Sequence, residues 1–333
     1  MYIEDIGETG IIEKIANLVG VEDEDIIVSI GDDAAVVRSP SNYYTVLTTD
    51  FMIEKVHFDL STISAYQLGR KSMLVNISDI AAMSAIPTYA LISLGIKPKT
   101  KVNFIEELYE GMVDVSKEYD FKIVGGDTVA SPCSLSINIA MVGKVEPHLL
   151  RKRADAKVGD KVLVTGKLGA SSAGLFLLNS KIKGDEYLIK SHLEPVPRLK
   201  EARLSAICGA HAMEDISDGL ASEIYHICNA SRVGAVIHEE SLPIANGVKG
   251  VAEIAKKPSE YFVLYGGEDY EIVLTVGLEK MEKLIHRVYS ETGTTLTLVG
   301  EIIDEQKGVY VLKKDGSKRP LTKGYDHFRK EEL

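Results

Sequence analysis

The sequence is short of the features that would place it in a membrane, a disulfide scaffold or a zinc site. Its three cysteines, Cys133, Cys208 and Cys228, are scattered, with no CxxC and no His/Cys cluster at ligand spacing. That usage argues against a disulfide framework and against zinc. The thiols read as small buried hydrophobes in a reducing compartment. No apolar run approaches the ~20 residues that cross a bilayer. The opening residues, MYIEDIGETG, carry no basic-then-apolar leader, so a cytoplasmic protein with no membrane partner is expected. Positive charge is also scarce: 38 Lys and Arg against 49 Asp and Glu leave a formal charge of −11. A broad nucleic-acid or anionic-lipid surface is thereby disfavoured. Neither G-x-x-x-x-G-K-[ST] nor G-x-G-x-x-G occurs, so any phosphate is held without those two loops. Low-complexity segments and short-period repeats are lacking as well.

What is present is a globular α/β chain. Hydrophobic residues make up 45% and charged residues 26% of 333, enough for two domains with real cores. Around residues 146–160 the composition turns basic and polar, with Arg151, Lys152, Arg153 and Lys157. A boundary there gives domains 1–147 and 148–333. A first helix is expected from a Thr9 cap to Gly20. A long helix opens at Ser64, whose spacing to Gln67 is that of a capping box, and runs to Ala85. Strands are expected at 26–30, 34–38, 88–96 and 135–145, then at 161–165, 271–276, 295–303 and 308–313. The Gly166–Gly169 turn reads as a plain link from strand to helix.

The chemistry-bearing pattern is a strand that stops at an aspartate. Tyr43 to Leu60 reads YYTVLTTDFMIEKVHFDL, with the strand expected to end at Thr48-Thr49-Asp50. Gly31-Asp32-Asp33 follows a short strand, and Gly125-Gly126-Asp127-Thr128 follows another. Asp215 and Asp218 lie in MEDISDG, with Asp218 where a helix N-cap would be. Asp79 sits in an apolar helical run, where burying a carboxylate is costly without a partner. Each such turn alone is ordinary, but several in one chain of normal charge content are not. Glycine lets a backbone approach a ligand closely, and Ser or Thr adds oxygen donors. An acidic protein holding a polyphosphate needs cations between the two, and Mg²⁺ takes a few carboxylates plus phosphates.

These residues carry a family resemblance. Gly31-Asp-Asp-Ala-Ala-Val36, Thr48-Thr-Asp50, Val56-His-Phe58 and Val75-Asn-Ile-Ser-Asp-Ile-Ala-Ala-Met83 belong to it. So do Gly125-Gly-Asp-Thr128, Ile216-Ser-Asp-Gly219, Gly266-Gly-Glu-Asp-Tyr270 and Lys323-Gly-Tyr-Asp-His-Phe328. Together and in this order they resemble the thiamine-monophosphate kinases, in the superfamily of aminoimidazole ribonucleotide synthetase. The resemblance implies a two-domain PurM-like architecture of mixed α/β type. It also implies a homodimer in which the N-terminal sheets pair, and ATP-dependent phosphorylation of thiamine monophosphate to thiamine diphosphate with several Mg²⁺ ions. By position, Asp33, Thr48, Thr49, Asp50, Asp79, Asp127, Asp215 and Asp218 resemble metal ligands. Tyr109, Gly126, Asp127, Arg153 and Ser217 resemble ATP contacts, and His57, Glu268 and Tyr325 resemble contacts to thiamine monophosphate.

Two positions depart from the family pattern: Lys55 stands where Gly usually precedes Val-His-Phe, and Ser84 where Gly usually follows Ala-Ala-Met. Selenophosphate synthetases share the acidic motifs but use a reactive Cys or selenocysteine and a Lys near the N-terminus, and here no Cys precedes Cys133. Hydrogenase-maturation relatives end in Cys, whereas this chain ends Glu331-Glu-Leu333. A ring-closing, ATP-dependent synthetase is the alternative within the superfamily, and a non-catalytic nucleotide or cation binder the alternative outside enzymes. For the kinase, an acceptor that is already a phosphate anion needs no general base. The expected route is therefore direct in-line transfer assisted by metal.

Overall fold

Two hydrophobic periods, 2.0 and 3.6, build two mixed α/β units along this chain. The protein's structure, a computed structural model, describes residues 2–20, 23–322, 324 and 328. The first unit carries β1 (Ile26–Val28), β2 (Ala35–Arg38), β3 (Tyr44–Ile53), β4 (Ile86–Ile96), β5 (Lys122–Ala130) and β6 (Ser136–Val145). They form one sheet in the order β1-β2-β3-β6-β4-β5, antiparallel except for the β4–β5 pair. Helices α1 (Ile3–Val19), α2 (Ala65–Ala82) and α3 (Val102–Glu118) belong to the same stretch of chain.

The second unit carries β7 (Lys161–Thr165), β8 (Ala210–Asp215), β9 (Gly234–His238), β10 (Ile272–Val276), β11 (Leu296–Ile303), β12 (Val309–Leu312) and β13 (Lys318–Pro320). Their order is β13-β12-β9-β11-β7-β10-β8. Among the described residues seven helices accompany them: α4 (Ala170–Ser180), α5 (Glu186–Leu193), α6 (Leu199–Ile207), α7 (Leu220–Ser231), α8 (Val248–Ala255), α9 (Ser259–Tyr265) and α10 (Leu278–Thr292). Strand alternation sorts the two cores. Val162, Val164 and Val273 pack with Ile224 and Ile227 of α7, while Leu163, Ile272 and Leu274 pack with Leu284 and Val288 of α10. Among the described residues no helix is long and apolar enough to cross a membrane.

Helix α2 ties the units together. Ser64 and Gln67 close its start as a capping box, each side chain accepting the other's backbone N–H at 3.2 Å. Fourteen of its eighteen residues are buried, so it has no broad polar face and must lie between layers. Gly69 makes room for α3: a Cβ there would stand 1.9 Å from the Leu108 carbonyl oxygen. At the other end Ala81 and Ala82 pack into the core that holds Leu163, Met213 and Ile272. One face of the first sheet lies against α2 and buries Ile137, Ile139 and Met141. The opposite face exposes Leu47, Phe51, Tyr89, Leu91 and Val129.

Several expectations need correction. β3 does not stop at Asp50 but continues to Ile53, and β5 runs through Gly125–Thr128 to Ala130. Pairing continues through both acidic motifs because β6 and β4 supply partners along their whole length. α1 begins at Ile3 rather than at a Thr9 cap, with a kink where Gly7 leaves helical geometry. The cap of α7 is Gly219, not Asp218. Cys133 is exposed rather than buried, whereas burial pushes the Cys228 thiol up to about 12. Lys55 and Ser84, the two departures from glycine, both adopt left-handed backbone, with φ of 70° and 56°.

Candidate active site

Helix α2 and strand β3 bring the first carboxylates together. Along β3 successive side chains alternate between faces. Thr48 and Asp50 pair with Met141 and Ile139 of β6, both buried on the α2 side, while Thr49 and Phe51 point the other way. The Thr48 hydroxyl donates to Asp79 Oδ2 at 2.5 Å. One residue earlier on α2, the Ser78 hydroxyl donates to Asp215 Oδ2 at 2.6 Å. Asp215 ends β8 in the second unit, so the two units contribute to one acidic group.

These carboxyls are buried, and they act on one another. Burial, then repulsion from Asp50, Asp215 and Asp33, pushes the Asp79 carboxyl well above its ordinary range. Burial and Asp33 do the same to Asp215, and burial lifts Asp50 to about 6. Like charges this close resist joint ionisation without a cation. Asp33 is the fourth member, in the turn before β2. Its Oδ1 accepts from Arg153 Nη2 at 2.5 Å, while its Oδ2 is buried with no partner among the described residues.

Arg153 is the organising cation of the neighbouring wall. Its Nη2 also reaches Glu214 Oε1 at 2.9 Å, and its backbone N–H donates to Asp32 Oδ2 at 3.2 Å. Asp32 is raised to about 7 by burial and by Asp33. Beyond Arg153, the His226 Nδ1 lies 2.7 Å from Glu214 Oε1 and 3.0 Å from Glu223 Oε2. Asp218 joins this side, its N–H donating to Glu223 Oε1 at 2.8 Å. Burial, Glu223 and Glu8 raise its carboxyl well above the ordinary value.

The third wall is the 266–270 loop. It is stitched to the 215–218 loop by Glu268 N–H to Ser217 O at 2.6 Å and Tyr270 N–H to Ile216 O at 2.9 Å. Gly267, Glu268 and Tyr270 all have left-handed φ, at 68°, 56° and 51°. Non-glycine residues rarely hold that conformation without surrounding constraint, and such positions gather at functional sites. Glu268 is held by Lys71 Nζ at 3.0 Å and His192 Nδ1 at 3.1 Å. Burial alone would raise its carboxyl, but Lys71 and His192 hold it well below the usual range. Tyr270 reaches the first core, its phenol pushed up by burial and then by Glu268, Asp50, Asp215 and Asp79.

Asp33, Thr48, Asp50, Asp79 and Asp215 therefore meet, with Asp218, Arg153, Ser217 and Glu268 in the adjoining walls. Thr49 and Asp127 do not join them within one chain. Thr49 lies on the opposite face of the first sheet, its hydroxyl accepting from Asn138 Nδ2 at 2.9 Å. Asp127 pairs with Ser93, which pairs with Asn138, and so shares that outer face on an exposed edge strand. Gly126 precedes it, where a Cβ would stand 1.7 Å from the Ile92 carbonyl oxygen. Tyr109 is half-buried on α3 against the first core, its phenol raised by burial. The His57 Nδ1 accepts the Ile53 N–H at 3.0 Å just past β3. Tyr325 lies outside the described residues.

Sequence patterns assign no site role to Lys71, Ser78, His192, Glu214, Glu223, His226 or Tyr270, although Ser78, Glu214 and Tyr270 lie inside the quoted motifs. Lys71 and Ser78 were legible in principle, being polar side chains in the same apolar helix that marks Asp79. Glu223 and His226 stand one helical turn apart on α7. Glu214 joins them only through tertiary contact, as His192 joins Glu268.

Comparison with known proteins adds the family. The models for AIR synthase related protein match in both parts, the N-terminal domain over residues 31–145 and the C-terminal domain over residues 157–313. The chain is 37% identical over 310 residues to the thiamine-monophosphate kinase of Bacillus subtilis, covering 91% of this chain and 94% of that one. Among solved structures, AaThiL complexed with AMPPCP and TMP is 33% identical, with a TM-score of 0.85 and coverage of 98% and 99%. The thiamine monophosphate kinase from Aquifex aeolicus is 31% identical, with a TM-score of 0.80 and coverage of 96% and 100%.

Proposed function

The chain belongs to the thiamine-monophosphate kinase family of AIR synthase related proteins, and on that premise we propose that it transfers the γ-phosphoryl group of ATP to thiamine monophosphate, forming thiamine diphosphate. The observation that carries this reading is the meeting of Asp33, Asp50, Asp79 and Asp215 from both units, linked by Ser78 and Thr48. The donor set is all oxygen, and Asp33 Oδ2 and Glu214 Oε2 are buried without partners among the described residues. Such a set fits a hard divalent cation. Mg²⁺ held by Asp33, Thr48, Asp50, Asp79 and Asp215 would neutralise the approaching phosphates.

The chain's own residues supply the rest. Arg153 stays cationic amid Asp33, Glu214 and Asp32, and its forked guanidinium suits the nucleotide phosphates. The acceptor oxygen is a phosphate oxygen, so no side chain has to remove a proton from it. What remains is alignment, which the paired 215–218 and 266–270 loops provide. Glu268, held ionised, suits the cationic thiazolium of the acceptor. Transfer is in-line and direct, without a phosphorylated protein.

A homodimer belongs to the same proposal. Leu47, Phe51, Tyr89, Leu91 and Val129 leave an apolar sheet face exposed, and a contiguous patch of that kind marks an interaction surface. A second copy pairing its sheet there also accounts for Thr49 and Asp127 on that side. Phosphorus NMR of ATP, Mg²⁺, thiamine monophosphate and the protein tests the activity. A new diphosphate ester is expected, and orthophosphate release without it would refute the proposal.

A further inference from the structure

We propose that Lys71 is a positioning residue for the acceptor, setting the carboxylate of Glu268 at a fixed distance from the aspartate cluster. Lys71 is 1% exposed on α2. An amine so deeply buried is costly unless it is paired, and its Nζ lies 3.0 Å from Glu268 Oε1. Glu268 sits in left-handed backbone between Gly267 and Tyr270, a geometry that local preference does not maintain. Its backbone is anchored on Ser217 O at 2.6 Å. Its side chain is anchored by Lys71 and by His192 Nδ1, which also meets Ser171 Oγ at 3.1 Å.

The placement of Lys71 gives this clamp a purpose beyond joining two units. Lys71 and Asp79 share one helix, eight positions and about 12 Å apart at 1.5 Å per residue. Ser78 and Asp79 at one end hold Asp215 and Thr48, while Lys71 at the other holds Glu268. A single rigid element thus spaces the phosphate-transfer end from the loop that faces the acceptor. A clamp serving stability alone would place no such demand on spacing.

The inference rests on the reading that Glu268 meets the acceptor, and the variants separate the two. Steady-state kinetics on Lys71→Met should show KM for thiamine monophosphate raised about tenfold or more, with KM for ATP changed less than about twofold, the pattern of a lost binding interaction. Lys71→Arg should recover most of that loss. Lys71→Gln, which keeps a hydrogen-bond donor, should show the same selective loss and serves where Lys71→Met does not fold. Adding Lys71→Met to Glu268→Gln should raise KM for the acceptor no further. Equal effects on both substrates, or no recovery with arginine, would overturn the role of Lys71. If Glu268→Gln weakens the acceptor and the Lys71 variants do not, this inference alone fails. If Glu268→Gln leaves acceptor KM unchanged, the assignment of Glu268 fails and the inference with it.

Discussion

Ser78 on α2 donates its hydroxyl proton to Asp215 at the end of β8, across 2.6 Å and 137 positions of sequence. The next residue, Asp79, accepts from Thr48 on β3 at 2.5 Å. Consecutive residues on a helix point roughly 100° apart, so adjacent positions of α2 reach two different sheets. The acidic group exists because this helix is buried between them.

Ser78→Ala should therefore cost stability and loosen metal binding together. Removing the donor to a buried carboxylate is worth about 1–3 kcal/mol. A lower melting temperature and a higher Mg²⁺ concentration for half-maximal activity are expected. An unchanged Mg²⁺ requirement would remove Ser78 from the site.

Asp50→Asn should separate chemistry from folding. Turnover should fall by about 10³-fold, roughly 4 kcal/mol of transition-state stabilisation. Metal-free melting temperature should hold or rise, because one of several mutually repelling buried carboxylates is gone. Near-normal turnover at saturating Mg²⁺ would show that Asp50 holds no essential ion.

Burial of the carboxyls, with repulsion second, predicts how stability depends on pH. Asp50 is raised to about 6, and Asp32 and Asp269 to about 7, all from 3.8. Between these values the folded chain holds more protons than the unfolded one, so stability falls as pH rises through the window. Melting curves of metal-free protein should shift downward from pH 5 to pH 8. If Mg²⁺ binds the carboxylates as proposed, its stabilising effect should grow over that range, because a cation binds their ionised form. A metal-free melting point that climbs with pH would contradict this account.

Ser84 and Lys55 should be the easiest positions to improve. Both are left-handed, a conformation that costs a non-glycine residue about 1–2 kcal/mol. Ser84 also buries an Oγ with no partner among the described residues. Ser84→Gly and Lys55→Gly should each raise stability by about 1 kcal/mol, read as a rise in the midpoint of denaturant unfolding.

Leu91→Glu or Phe51→Glu should keep the chain monomeric. Both side chains are exposed on the outer face of the first sheet, so a charge there leaves the fold intact while opposing a second copy. Sedimentation equilibrium should give a dimer for the parent chain and a monomer for the variants. A parent chain that sediments as a monomer would remove the dimer from the proposal.

The chain's local order was largely readable from residues alone. The capping box at Ser64, the alternation of β6 and the glycine before Asp127 each follow from rules that act over a few positions. Extent was less readable. β3 and β5 continue through their acidic motifs because neighbouring strands supply hydrogen-bond partners there, and no residue inside the motifs records that.

Sequence by itself determined which side chains are available for metal-assisted phosphate chemistry and the order in which they come. It could not say which of Thr48, Thr49 and Asp50 face α2, because strand alternation defines two faces without stating which is covered. Nor could it bring Asp215 to Ser78, or Glu268 to Lys71, since those contacts depend on packing between segments far apart in the chain. Tertiary structure decided both by burying α2 between two sheets, where water can no longer satisfy its polar side chains and only partners from distant segments remain.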